Sequence, residues 1–243
     1  MKHAPDPTKN SIARLCARFG LPAGIDLQLG VLLRLLTTDP LAPTNLRDPV
    51  RAVQDHLADS LVSLDLEQVT GASRIADLGS GAGVPGLPLA IALPGAEVVL
   101  LESSVRKCEF IARAIEACEL SNASAVPARA EAWPEGLGRF ELVTARALGP
   151  LGVVAEYAAP LLELGGALLV WRGRRDPADE ASGARAAAEL GLEVHDPRRV
   201  EPYPGAANRH LQLMIKTSPT PSRFPRRPGI ARKRPLGADR GAV

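Results

Sequence analysis

Thirteen consecutive residues, Arg74-Ile75-Ala76-Asp77-Leu78-Gly79-Ser80-Gly81-Ala82-Gly83-Val84-Pro85-Gly86, hold the densest chemical signal in the chain. An apolar run ends on Asp77, and Gly79, Gly81 and Gly83 then alternate before a helical pattern begins. Glycine accepts positive φ and puts no Cβ between backbone and ligand. A helix starting there offers unpaired N–H groups and the positive end of its dipole. A plain strand-to-helix turn needs fewer glycines, so the segment reads as a binding loop. Two ligands compete for it. Gly81-Ala82-Gly83-Val84-Pro85-Gly86 satisfies G-x-G-x-x-G, and Glu102, about 20 residues on, could hold a ribose, which is the dinucleotide pattern. S-adenosylmethionine has a ribose but no pyrophosphate, and its amino-acid end is zwitterionic. An acid ahead of the glycines is then useful rather than repulsive, so Asp77 in D-x-G-x-G-x-G favours the methyl donor. Glu102 suits either ligand.

Other residues could do chemistry, each with a plainer reading beside it. His56 and Asp59 stand at i, i+3 on a helical pattern. They read first as a flank that hydrogen-bonds to neighbouring loops, and alternatively as an active pair. Arg146 follows the C-terminal end of a strand candidate, where α/β sheets bind ligands, so the functional reading outweighs a simple ion pair. Arg209 and His210 open the last strand and either touch RNA or close the sheet edge. Cys108 and Cys118 fall beside Ile111 and Ile115 on one helical stretch and read as buried thiols; Trp133 and Trp171 read as packing residues. The three cysteines lack CxxC spacing, which excludes a disulfide scaffold and a standard zinc site. No metal is expected.

The elements that must position these residues come in two textures. Up to residue 70 the chain reads as helical. Ile12, Leu15, Cys16 and Phe19 fall at i, i+3, i+4, i+7, with Gly20 placed to stop that helix. Ile25, Leu29, Leu32, Leu33 and Leu36 repeat the pattern. Asp48 as N-cap with Pro49 at the first helical position opens a third helix. Its stripe is Val50, Val53, Leu57, Leu61 and Leu64. Beyond Gly71, strand candidates at 74–78, 97–101, 123–126, 141–145, 167–171, 192–195 and 210–216 alternate with helical stretches at 87–93, 104–120, 151–162 and 178–190. Short apolar strands with intervening helices predict an α/β, mostly parallel seven-stranded sheet covered on both faces. No helical pattern separates the last two strands, so the final one is free to return antiparallel. The division expected is 1–70 as a helical extension, 71–216 as the catalytic domain and 217–243 as an arm.

Charge sets the arm apart. The 243 residues carry 29 basic and 27 acidic side chains, a net of +2. From Thr217 onward, Arg223, Arg226, Arg227, Arg232, Lys233, Arg234 and Arg240 face only Asp239, which leaves the rest of the chain net acidic. Five prolines punctuate this stretch, so it reads as an extended basic arm, unable to propagate a helix and apart from the catalytic centre. Guanidinium groups spaced in this way suit separate phosphates. Aromatic residues make up only 3%, too few for a base-stacking RNA sheet. The longest apolar runs, at 30–36 and 165–171, fall short of the ~20 residues of a membrane span. No apolar leader is visible at the start, and a cytoplasmic protein is expected.

Five motifs in order resemble the RsmG (GidB) family of bacterial methyltransferases: DLGSGAGVPGLPLAI, LLESSVRKCEFI, ARAEAW, FELVTARALGPLGVVAEYAAPLLELGG and RFPRRPGIARKRPL. The resemblance runs from about residue 44 to 236, and HLADSL at 56–61 matches a helical motif of the same family. It implies a class I methyltransferase (Rossmann-like) fold, and methyl transfer from S-adenosylmethionine to N7 of one guanine, position 527, in 16S ribosomal RNA. Either that RNA or the small ribosomal subunit would be the partner of a monomer. Donor contacts carried over are Gly79, Val84, Ala130, Glu131 and Arg146, with Glu102 on the ribose. Arg146, His56 and Arg209 are candidates to orient the RNA, and Arg223, Arg226, Arg227, Arg232, Lys233 and Arg234 to bind it. Val84 stands where the family has a larger apolar residue, Glu102 replaces an Asp, and TNLRDP is shorter by about three residues. The rival functions are an NAD-linked oxidoreductase using the same loop, and a non-enzymatic ribosomal RNA-binding or assembly protein.

Overall fold

The computed structural model describes residues 7–238. Two amphipathic helices, α1 (Pro7–Arg18) and α2 (Ile25–Thr38), come first. Leu29, Leu32 and Leu36 of α2 have no exposed surface, and each contributes about 1.5–3 kcal/mol through burial. The third helix begins as read, with the Asp48 carboxylate accepting from Arg51 N at 2.7 Å and Pro49 at the first position. It is not regular, however. After α3 (Pro49–Ala52) comes a π-helical turn, Val53–Ala58, then α4 (Asp59–Leu61), a 3-10 turn (Val62–Asp65) and α5 (Glu67–Thr70). The wider turn rotates the stripe. Val53, Leu57 and Leu61 are buried while Val50 is 44% exposed.

The sheet follows: β1 (Arg74–Leu78), α6 (Gly86–Ala92), β2 (Glu97–Leu101), α7 (Val105–Ala117), β3 (Ala123–Val126), β4 (Phe140–Arg146), α8 (Leu151–Ala158), β5 (Leu162–Arg172), α9 (Pro177–Leu190), β6 (Leu192–Val194), β7 (Arg198–Arg199) and β8 (His210–Lys216). Its order is β3-β2-β1-β4-β5-β8-β6, with β7 pairing β8. Strands β1 to β5 are parallel and β8 returns antiparallel, as the missing crossover helix allowed. The sheet has eight strands rather than seven, because two-residue β7 is too short to show an alternation.

Helices cover both faces. One core joins the N-terminal helices and α6–α7 to Ile75, Val98 and Leu142 of the sheet. The other joins α8 and α9 to Ala76, Val99 and Val143. The register sets strand ends level: Leu78 lies beside Leu101 and Ala145, and Arg146 beside Trp171. Gly79, Glu102 and Arg146 therefore share one edge. The strand order reverses at β1 and β4, which leaves the crevice where such sheets bind ligands.

The expectation of an extended arm unable to propagate a helix is overturned. Phe224 and Ala231 are buried in the second core, and Ile230–Lys233 forms a short helix, α10. The four residues between Pro228 and Pro235 that α10 occupies contain no proline, so the ring clash that bars a helix does not arise there. Arg240 lies outside the described residues.

Candidate active site

The three loop glycines serve different ends. Gly79, at φ +62°, leaves room for Leu148, whose Cδ1 lies 2.5 Å from where a Cβ would stand. Gly83 makes way for Leu87, which seats α6 on its own loop. Gly81, at φ +59°, has only Gly79 O within 4 Å of a Cβ position, at 3.7 Å. The space above Gly81 is open.

Two carboxylates pin this loop from below. Asp77, fully buried, accepts from Gly86 N at 3.2 Å and from Thr144 Oγ1 at 2.8 Å. Burial pushes its pKa up to about 6, against the hydrogen bonds that favour the charged form. Glu102, 6% exposed, accepts from Gly81 N at 3.0 Å and from Ser104 N at 2.8 Å. Beside them opens a cavity of about 200 Å³ at the C-terminal ends of β1 to β3. Gly79, Ser103, Ala130, Glu131, Leu148 and Tyr157 line it. Gly79, Ala130 and Glu131, three of the residues the resemblance names as donor contacts, thus share one cavity. Glu102 and Gly81, joined by their hydrogen bond, flank lining residues Ser103 and Gly79 without lining the cavity themselves, and Asp77, Gly83 and Val84 are buried outside its lining. Asp77 acts on this cavity by holding the loop.

A second cavity, of about 450 Å³, lies across the loop that follows β4. Arg146, Ala147 and Gly149 form its wall on that side, while Leu148 between them faces the first cavity. Ala147 has φ +53°, unusual for a residue with a Cβ. The π turn supplies the opposite wall. Arg146 donates to Asp59 Oδ2 at 3.2 Å and to the Asp55 carbonyl at 2.9 Å, with His56 Nδ1 at 3.5 Å. Arg209 donates to Asp55 Oδ1 at 3.2 Å, and Tyr203 Oη donates to the same oxygen at 2.6 Å. Arg209 Nε and Asp59 Oδ1 are ion-paired at 3.2 Å but out of line for a hydrogen bond. Trp171 Nε1 donates to the Asp59 carbonyl at 2.6 Å. Burial, with the nearby Arg146 charge, lowers the pKa of His56 to about 4. Burial raises that of Asp59 despite its two guanidinium partners.

The three orienting candidates, His56, Arg146 and Arg209, therefore converge in one cavity, with Asp59 among them. Arg146 faces this second cavity rather than the one Gly79 and Glu131 line. Sequence reasoning missed Asp55 and Tyr203. Asp55 sits next to His56 but off the 3.6-residue stripe, and only the π turn aims both inward. In the arm, Arg223, Arg227, Arg232, Lys233 and Arg234 are exposed. Arg226 instead grips Glu156, a carboxylate 2% exposed, through Nε at 2.6 Å and Nη2. Arg223 pairs with Glu189, and Arg232 reaches the first cavity.

A mixed sheet with a glycine loop after β1 and two cavities along one edge defines a class I methyltransferase. Solved structures bear this out. A predicted O-methyltransferase from Agrobacterium tumefaciens superposes with a TM-score of 0.50 at 30% identity, over 67% of this chain and 80% of that one. Aeropyrum pernix fibrillarin, solved with S-adenosyl-L-methionine, shares the fold at a TM-score of 0.52 and 18% identity, over 65% of this chain and 73% of that one. The family described as rRNA small subunit methyltransferase G (GidB) matches residues 41–199, and the chain belongs to it. Its relatives named ribosomal RNA small subunit methyltransferase G include one from Chloroflexus aggregans, 42% identical over 83% of this chain and 85% of its own length. One from Rubrobacter xylanophilus is 39% identical over 78% and 75%.

Proposed function

We propose that this protein transfers a methyl group from S-adenosylmethionine to N7 of a guanine, position 527, in 16S ribosomal RNA, with the donor in the first cavity and the guanine in the second. One observation carries the choice of donor. The loop N–H groups that would meet a pyrophosphate already hold carboxylates, Gly81 N on Glu102 and Gly86 N on Asp77. Two fixed negative charges oppose a dinucleotide and tolerate a sulfonium with an ammonium group. The residues fit the donor: Glu102 for the ribose hydroxyls, Gly79 and Gly81 beside its amino-acid half, and Ala130 and Glu131 beyond. Bound there, S-adenosylmethionine supplies an electrophilic methyl group. Neither the family nor the likenesses in fold support the NAD-linked or the non-enzymatic reading.

Guanine N7 carries an in-plane lone pair and no proton, so the transfer needs alignment and desolvation rather than a general base. A His56 held neutral by its low pKa suits that requirement. The methylated ring is cationic, and the carboxylates of Asp55 and Asp59 stand in the acceptor cavity to offset the new charge. Both cavities are built from one chain, so a monomer suffices. The substrate is the RNA itself or the small subunit that contains it, in the cytoplasm. No helix among the described residues is long and apolar enough to cross a membrane.

The test uses donor carrying a labelled methyl group and small-subunit RNA. Methylation at N7 labilises the glycosidic bond, and borohydride–aniline treatment should then cut the RNA at one nucleotide. Label on DNA, on protein or on another RNA atom defeats the reading.

A further inference from the structure

The geometry points to the C-terminal arm as a wall of the donor cavity, with Arg232 as a binding residue for the adenosyl half of the methyl donor. The inference rests on the reading that the donor occupies that cavity. It gives the arm a role that neither its basic composition nor the family motif assigns.

Three observations carry it. Arg232 lines the cavity together with Glu131 and Tyr157, and its Nη2 donates to the Leu148 carbonyl at 3.1 Å. Gly229 N, three residues earlier, donates to Glu131 Oε1 at 3.0 Å. The arm thus holds both the residue after β3 and the loop after β4. Leu148 in turn fills the space that Gly79 leaves open. The docking is built rather than incidental. Arg226 neutralises the buried Glu156 on α8, Phe224 and Ala231 enter the core, and Arg185 Nε donates to Gly237 O at 2.8 Å. Removing Arg226 would leave a buried carboxylate alone, so the arm is not free to leave at small cost.

The part of the donor that Arg232 meets follows from the sheet order. The amino-acid half belongs at the glycine loop after β1 and the ribose at Glu102 after β2. The adenine ring then falls beyond them, towards β3, where Ala130, Glu131 and Arg232 share the cavity. A guanidinium offers donors for the ring nitrogens and a flat face for the ring itself. Because binding and docking share these contacts, each must strengthen the other by the same factor.

The test uses the full chain and the unreactive product S-adenosylhomocysteine, with calorimetry and trypsin. Arg232→Ala should bind both S-adenosylhomocysteine and adenosine about tenfold more weakly, the loss expected for one charge-assisted hydrogen bond. Arg232→Lys should recover part of it. In the unmodified protein, saturating S-adenosylhomocysteine should slow cleavage after Arg232 and Lys233, a readout that does not depend on any variant folding. If the unmodified protein fails to bind S-adenosylhomocysteine, the proposed function falls and this inference with it. If it binds, and Arg232→Ala binds within twofold as tightly, the inference alone is overturned. Cleavage that ignores the ligand overturns it equally.

Discussion

Gly81 and Gly86 sit five residues apart and should respond to substitution in opposite ways. A Cβ at Gly81 meets open space, and the cost there is backbone strain from φ +59°. Gly81→Val should therefore fold with a lowered melting temperature and bind no S-adenosylhomocysteine by calorimetry. A Cβ at Gly86 would lie 2.7 Å from Leu100 Cδ2 and 2.9 Å from Asp77 Oδ2, so Gly86→Ala should damage stability first. Two titrations belong to this scale as well. Asp77, with its pKa raised to about 6, favours the folded state when protonated. Its contribution is complete below the unfolded value of 3.8 and is lost as pH rises through about 6, by up to roughly 3 kcal/mol. His56 has the opposite sign. Its contribution is present above the unfolded value of 6.5 and is lost as pH falls through about 4. Denaturation followed from pH 4 to 7 should show Asp77→Asn removing a fall in stability with rising pH, and His56→Gln removing a rise. An unchanged profile in either variant contradicts the assigned burial.

At the scale of elements, the π turn Val53–Ala58 decides what the second cavity contains. It lets one short helix aim Asp55, His56 and Asp59 at Arg146, which ends β4, and at Arg209, which precedes β8. Asp59 is the hub of that arrangement. Its replacement by Ala leaves two guanidinium groups short of a partner and should cost about 3–5 kcal/mol, the range for breaking a buried pair. A double-mutant cycle with Arg209→Ala should show the two losses to be far from additive. The same element marks the limit of the sequence. The strand-helix alternation and the Asp48-Pro49 start were legible because apolar period and capping chemistry are local, while the missing helix before β8 left its direction open. The π turn was not, since a stripe read at 3.6 residues per turn places Val50 inside and Asp55 outside. Two-residue β7 carries no period at all. The glycine loop was legible as a binding loop, yet the division of labour among its glycines depends on Leu87, Leu100 and Leu148, which only the fold brings near.

For the whole molecule, the decisive quantity is how the arm divides its charge between the body and RNA. By composition alone, every basic residue there is available to phosphate. The fold withdraws several of them. Arg226 is committed to Glu156, Arg223 to Glu189, and Arg232 to the Leu148 carbonyl. Among the described residues of the arm, Arg223, Arg227, Arg232, Lys233 and Arg234 are all exposed. Of these, Arg227, Lys233 and Arg234 are not tied to the body by a side-chain hydrogen bond or ion pair, which leaves them for the RNA backbone. Removing one cation from a single-strand phosphate flattens the slope of log affinity against log salt by roughly 0.7. Replacing Arg227, Lys233 and Arg234 together with Ala should therefore flatten the slope by about 2 in filter-binding or fluorescence titrations with small-subunit RNA. The affinity for S-adenosylhomocysteine should stay as it was, because none of the three lines the donor cavity. Arg226→Ala should behave differently. It strands the Glu156 carboxylate, loosens the arm and weakens both ligands at once. A triple variant with an unchanged salt slope would move the RNA interface elsewhere, onto the rim of the second cavity, where Arg172 and His210 stand.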